Sequence, residues 1–178
     1  MTQPQTTDPQ QELLFEVDQH NQPIGPITRE IAHQSPDKFY RAIFVLVKNQ
    51  DDQILIQKRS ATKDLFPNYW DLSVGGHVNY GATYEQAAAR ELEEELGIKA
   101  AQQDLKFLGE VLVHMPSSNE VFHVFEYQLK ADDKIKLSPE EIDQMQWMSI
   151  SDIKESMAKQ TLEWYHRPLQ VVAAIYKN

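Results

Sequence analysis

Cysteine is absent from the 178 residues, which excludes disulfide staples, thiolate metal sites and a cysteine acting as nucleophile or acid. Long apolar runs are missing as well: nothing approaches the roughly 20 residues of a membrane span. The polar opening MTQPQTTDPQQ has no apolar centre of the kind a secretory signal requires. A cytoplasmic protein is the resulting expectation. Positive charge is in short supply, with 17 Lys and Arg against 27 Asp and Glu and a formal net charge of −10. Nucleic acid backbones and acidic membranes repel such a chain, so neither a nucleic acid polymer nor a membrane is an expected partner. A small phosphorylated substrate stays open, because a bound divalent ion reverses the local sign.

What is present suits a soluble globular fold, with 41% hydrophobic and 25% charged residues in a length that fits one domain with a real core. The chain is organised around residues 76–98, GHVNYGATYEQAAARELEEELGI, where a glycine-bounded loop runs into a helix. At about 100° per residue, Glu91, Glu94 and Glu95 share one side of that helix, while Ala88, Leu92 and Leu96 form an apolar stripe on the other. Like charges at these spacings repel, and a helix that gathers them without interleaved lysines offsets the cost with a bound cation. Oxygen-only ligands point to Mg²⁺ or Mn²⁺. A solvated acidic face is the alternative for a lone Glu-rich helix, and the flanking glycines, which permit close backbone approach, weigh against it.

The rest of the chain reads as alternating elements. Residues 1–10 form a disordered leader rich in Gln, Thr and Pro. A strand follows over 12–18, a turn over 21–25 and a short capped helix over 28–33, making residues 11–36 an extension ahead of a core over 37–178. Residues 39–48, FYRAIFVLVK, read as a central strand, and 53–57 as its hairpin partner. A proline turn with aromatics at 66–71 leads through a short strand into Gly75 and Gly76. Thr83 and Gln86 fit a capping box, so the helix starts near Thr83 and ends at Leu96 with Gly97 as its C′ residue. Strands are expected at 105–114, 120–129 and 145–148, with a loop at 115–119. Helices are expected at 151–159, opening on Ser151 and Asp152, and at 168–176. The order gives an α/β fold with helices covering a central mixed sheet.

The central stretch resembles the Nudix box: Gly, five residues, Glu, seven residues, then Arg-Glu-aliphatic-x-Glu-Glu-x-Gly-aliphatic. Gly76, Arg90, Glu91, Leu92, Glu94, Glu95, Gly97 and Ile98 match in register, and Ala82 stands where the first glutamate belongs. The resemblance implies an α/β/α sandwich with a catalytic loop-helix-loop, and hydrolysis of a diphosphate linkage in a nucleoside diphosphate derivative or similar small metabolite. It places Mg²⁺ or Mn²⁺ on Glu91, Glu94 and Glu95 with a backbone carbonyl of Gly76 or Gly75. Glu94 and Glu95 are then catalytic, with Arg90 orienting the carboxylates. Arg41, Lys58, Arg59 and Lys63 precede the box and are candidates to hold the distal phosphate; solubilising surface charge is the plainer role for each. Ala82 offers no oxygen, so weaker metal affinity or fewer ions are expected. Oligomeric state stays open, with a homodimer allowed by the resemblance.

Residues 13–98 further resemble the isopentenyl-diphosphate isomerase branch, through LFEVDQHNQPIG, AHQSPDKFYRAIF and LIQKRSATKDLFPNYWDLSVGGHV. His33, His77 and Glu120 match isomerase positions, Glu120 at the place of a catalytic glutamate. The essential isomerase cysteine is replaced by Gly75, and a second metal-ligating histidine by Arg41. Allylic isomerisation needs proton donors and acceptors on both faces of an alkene, whereas hydrolysis needs water, metal and a base. The resemblance therefore implies an isomerase-like hydrolase, with Glu120 or a box carboxylate as general base. Its alternatives are the isomerase itself or a non-catalytic phospholigand-binding module. Residues 115–119 and the last helices are expected to select the leaving moiety.

Overall fold

Apolar side chains occupy nearly every position of residues 39–48, and such a run is stable as a strand only when covered on both faces. In the structure, a computed structural model describing residues 9–177, this run is strand β3 (Phe39–Lys48). Its alternation divides the core. Ile43, Val45 and Val47 face helix α2 (Tyr84–Leu96), meeting Ala88, Leu92 and Leu96. Ala42, Phe44 and Leu46 face the other way, onto Ile153 of α3 (Ile150–Lys159) and Val171 and Val172 of α4 (His166–Ile175). The result is the expected α/β/α layering around a mixed sheet.

Around β3 the sheet is built from β1 (Leu13–Val17), β2 (Pro23–Thr28), β4 (Ile54–Arg59), β5 (Trp70–Leu72), β6 (Val74–His77), β7 (Leu105–Met115), β8 (Ser118–Gln128) and β9 (Ile142–Met148). β8 runs parallel to β3 along its full length, while β1 and β6 pair with β3 antiparallel. Between β3 and β4 only Lys48 and Ile54 are paired; beyond that point the two strands take separate partners, β6 on β3 and β5 and β9 on β4. This splay opens the cleft described below. Ser73, between β5 and β6, ties the halves: Val47 N donates to its Oγ at 2.8 Å and that Oγ donates to Leu55 O at 2.6 Å.

Several boundaries differ from expectation for identifiable reasons. The turn at 21–25 is shorter, with Asn21 at φ 61° and β2 beginning at Pro23. β2 sits at the sheet edge, where prolines remove no ladder bond that the sheet needs. Short helix α1 (Arg29–Ala32) is capped by Thr28. The loop at 115–119 shrinks to two residues because β7 and β8 continue to Met115 and Ser118. Ser149, not Ser151, caps α3 by accepting from Asp152 N. Of the expected leader, residues 1–8 lie outside the described residues; the next two are packed, Gln10 O accepting from Glu30 N at 3.1 Å. No helix among the described residues is long and apolar enough to cross a membrane.

Ser73 has no exposed surface, so Ser73→Ala leaves a buried N–H and a buried carbonyl without this partner. Urea unfolding of that variant is expected to show a loss of about 1–3 kcal/mol with an unchanged slope.

Candidate active site

Helix α2 carries the box carboxylates, and its ends are fixed as its sequence dictates. Thr83 and Gln86 form the reciprocal capping box, and Gly97 closes the helix at φ 69°. The apolar stripe seats the helix on the sheet, which turns Glu91 and Glu95 towards β6 and the open seam. Gly76 is what lets Glu91 through: a Cβ at this position would stand 2.1 Å from Glu91 Cδ and Oε1. Glu95 accepts from Gln57 Nε2 of β4 at 2.9 Å. Both acids therefore reach a cleft of about 300 Å³ whose lining includes Gly75, Gly76, Glu91, Glu94 and Glu95 together with Arg29, Arg59, Lys63 and Arg167.

Arg90 binds this side of the cleft together. Its Nη1 donates to Glu94 at 2.7 Å, while Nη2 donates to Glu91 at 2.7 Å and to the carbonyl of His77 at 3.0 Å. The guanidinium thus ties the helix to the glycine strand. Burial pushes the Glu91 carboxyl up to about 7; Arg90 opposes this, and Glu94, Glu12 and Glu141 reinforce it. Burial likewise raises Glu95 well above the usual carboxylate range, with Glu91 and Glu141 adding to the effect and Gln57 and Arg59 reducing it. Among the described residues no three acids or imidazoles form a closed ligand set, and Arg90 engages two of the carboxylates. The donor chemistry nonetheless fits a hard divalent ion. Oxygen-only carboxylates, buried and mutually repelling beside glycine backbone, are what Mg²⁺ or Mn²⁺ relieves.

Of the four candidate phosphate ligands, Arg59 and Lys63 line the cleft and Arg41 and Lys58 do not. Strand alternation decides this. With Ala42 facing the cleft, Arg41 is turned to the α2 side, where Asn21 accepts from it at 2.8 Å and the Phe15 ring lies 4.3 Å away. Gln57 and Arg59 point to the cleft side of β4, and Lys58 to its opposite face. Arg59 donates to Leu65 O at 3.1 Å, and Lys63 pairs with Glu141 at 2.8 Å.

Glu120 also departs from the expected role of general base. It lies on the cleft wall but has no exposed surface, and its oxygens are taken by Arg167 Nε at 2.7 Å, Arg167 Nη2 at 2.6 Å and Tyr40 OH at 2.7 Å. A carboxylate so engaged is poorly placed to accept a proton from water. The ring of Tyr40 lies 5.8 Å from that of His33 and 5.5 Å from that of His77, whereas Arg41 is turned away from both imidazoles. His33 and His77 meet through their Nε2 atoms at 3.2 Å. Burial, with Arg29 and His33 nearby, holds His77 well below the usual imidazole range and therefore neutral.

Four cleft residues went unrecognised in the sequence. Glu12 and Arg29 come from the extension, Glu141 from the turn before β9, and Arg167 from the first turn of α4. No spacing rule links them to the box; each arrives through tertiary packing. The loop at 115–119 lines no part of the cleft, whereas Lys63 and Leu65 of the segment after β4 do.

Fold and site together define an α/β/α protein whose loop-helix-loop presents carboxylates to a cleft that cationic side chains also line. The chain belongs to the Nudix family, the NUDIX domain matching residues 38–168. An uncharacterized Nudix hydrolase of Pseudomonas aeruginosa is 34% identical over 77% of this chain and 78% of that protein. An isopentenyl-diphosphate Delta-isomerase of Haloarcula marismortui is 30% identical over 80% of this chain and 79% of that one. Among solved structures, a Deinococcus radiodurans protein superposes with a TM-score of 0.72 at 26% identity, covering 93% of this chain and all of that one.

Two outcomes follow from this geometry. Gly76→Ala places a methyl group on the Glu91 carboxylate and is expected to weaken Mn²⁺ binding, read by calorimetry, at least about tenfold with the circular dichroism spectrum retained. Because Glu91 is raised from 4.5 to about 7, the folded protein keeps a proton in that window that the unfolded chain releases. Stability of the metal-free protein should therefore fall as pH rises from about 4.5 to 7, and Glu91→Gln should flatten the profile. Thermal melts across that range, with and without Mg²⁺, provide the measurement; added metal restores most stability above pH 7.

Proposed function

We propose that the protein is a Mg²⁺- or Mn²⁺-dependent hydrolase that cleaves a diphosphate linkage in a small metabolite such as a nucleoside diphosphate derivative. One observation carries this reading: Glu91, extending past Gly76, and Glu95 reach a cleft that Arg29, Arg59, Lys63 and Arg167 also line. Six glutamates and five Arg or Lys line that cleft, a formal balance of −1. A diphosphate adds further negative charge, so its entry requires the divalent ion that the carboxylates are arranged to hold. When bound, that ion neutralises nonbridging oxygens and lowers the pKa of a coordinated water.

The chain's own groups account for the rest. Glu91, Glu94 and Glu95 supply the metal's oxygen donors, with Arg90 fixing the direction of the first two and Gln57 that of Glu95. Arg59 and Lys63 hold phosphate oxygens from the opposite side. Proton acceptance from the attacking water falls to a box carboxylate, since Glu120 is engaged by Arg167 and Tyr40. A soluble cytoplasmic setting is consistent with such a metabolite substrate.

Likeness to isomerases supports a second reading, and Gly75 weighs against it. A Cβ at Gly75 would lie 2.7 Å from Cε1 of Phe44, a fully buried ring stacked on Phe122. The space that a cysteine side chain needs is therefore filled by the core. Gly75→Cys is expected to destabilise the protein by about 1–3 kcal/mol without conferring isomerase activity, checked by proton exchange from D₂O into isopentenyl diphosphate.

A panel of diphosphate compounds with Mg²⁺ and Mn²⁺, read by phosphate or nucleotide release, tests the main reading. Hydrolysis is expected for at least one compound, with Glu94→Gln and Glu95→Gln each losing most of it while melting near the parental temperature. Parental rates in both variants would remove the metal assignment. Nucleotide-induced thermal stabilisation without product under saturating metal would leave a binding module instead.

A further inference from the structure

Arg167 is a tightly organised cation of the cleft that keeps donors unspent. A guanidinium has five N–H groups. Three are accounted for: Nε and one on Nη2 go to Glu120, and one on Nη1 goes to Tyr165 OH at 3.1 Å. Subtracting three from five leaves two, one on each terminal nitrogen, and no further hydrogen bond to Arg167 is present among the described residues. Rings of Tyr165 and Phe122 flank its Cζ at 5.4 and 5.6 Å, so the plane is fixed as well as the edge. Glu120 is fully buried whereas Arg167 keeps 9% of its surface. Both line the cleft, and Arg167 is the more accessible member of the pair.

We propose that these two remaining N–H groups form a fixed phosphoryl subsite, in which Arg167 binds one phosphate of the substrate from the α4 side while the box carboxylates serve the other. This deepens the hydrolase reading and rests on it. Glu120 is then a positioning residue: held by Tyr40, it presents the guanidinium in one orientation, and a preorganised fork loses little side-chain entropy when an anion docks. Tyr165 is anchored in turn by its hydrogen bond to Asp71, which Arg59 approaches at 3.7 Å. The subsite is therefore joined to a second cleft cation through buried contacts. Its ligand is a tetrahedral oxyanion with two free oxygens, the terminal or internal phosphoryl group of a diphosphate, matched by a bidentate fork as a lysine cannot match it.

The probe is methylenediphosphonate, a diphosphate that cannot be hydrolysed, titrated calorimetrically into the full-length protein with Mg²⁺. Arg167→Lys keeps the charge and loses the fork; its Kd for the probe and its KM for a cleaved substrate should rise about 10- to 100-fold, with kcat falling less than KM rises. Arg167→Ala should bind the probe as weakly, and added guanidinium chloride should restore affinity where the same concentration of sodium chloride does not. A folded Arg167→Lys that binds with parental affinity overturns the proposal and leaves the hydrolase reading standing. Absence of both hydrolysis and probe binding in the parental protein overturns the hydrolase reading itself. Should the variants fail to fold, a crystal structure of the parental protein with the probe decides: a phosphonate oxygen within hydrogen-bonding distance of Arg167 supports the subsite, and a phosphonate placed away from it removes the subsite.

Discussion

Repulsion between buried carboxylates, and the means by which the fold tolerates it, underlies most of what is distinctive in this molecule. Glu91 and Glu95 sit below the surface within reach of Glu12 and Glu141, an arrangement that opposes folding unless something fixes it in place. Three features do so. The apolar stripe of α2 anchors the helix, Arg90 spans Glu91, Glu94 and the His77 carbonyl, and the missing side chain at Gly76 provides the space into which Glu91 extends. The glycine and the close pairing of acids would be odd choices for stability alone. Together they hold a negative pocket ready for a cation.

How much of this was legible follows the range of the interactions concerned. Local signals were read well: Thr83, Gln86 and Gly97 mark the helix ends through contacts within one turn, and the double-sided apolar run of residues 39–48 marks the central strand. The box residues were legible because their spacing is local too. Arg59 and Lys63 were separable from Arg41 and Lys58 only once strand alternation and the splay between β3 and β4 were known. Arg167 lies 47 residues from Glu120, and Glu12 lies 79 from Glu91 by number; no periodicity connects such pairs. Glu120 is the converse case: its place in the chain is plain, but the partners that occupy it, Arg167 and Tyr40, are distant in sequence.

The departures from the family pattern have physical content. Ala82 leaves its methyl group packed against the α2-side core, so the box lacks one oxygen ligand while Glu12 and Glu141 bring further carboxylates from elsewhere. At Gly75, Phe44 fills the volume that a reactive side chain would need. The scaffold shared with isomerases is thereby closed at one chemical position and kept open at the carboxylate cluster, in keeping with hydrolysis.

The parallel pairing of β3 with β8 has a bearing on how the protein is made. Phe39 aligns with Asn119, a separation of 80 residues in the chain, and α4 with Arg167 arrives later still. Closing loops of that length is slow compared with forming a helix or hairpin. On the ribosome the acidic helix is therefore complete well before the strand that supports Glu120 or the helix that brings its cation. The cleft is complete only after Arg167 has been made, so the nascent chain carries its acidic helix long before it has a working site.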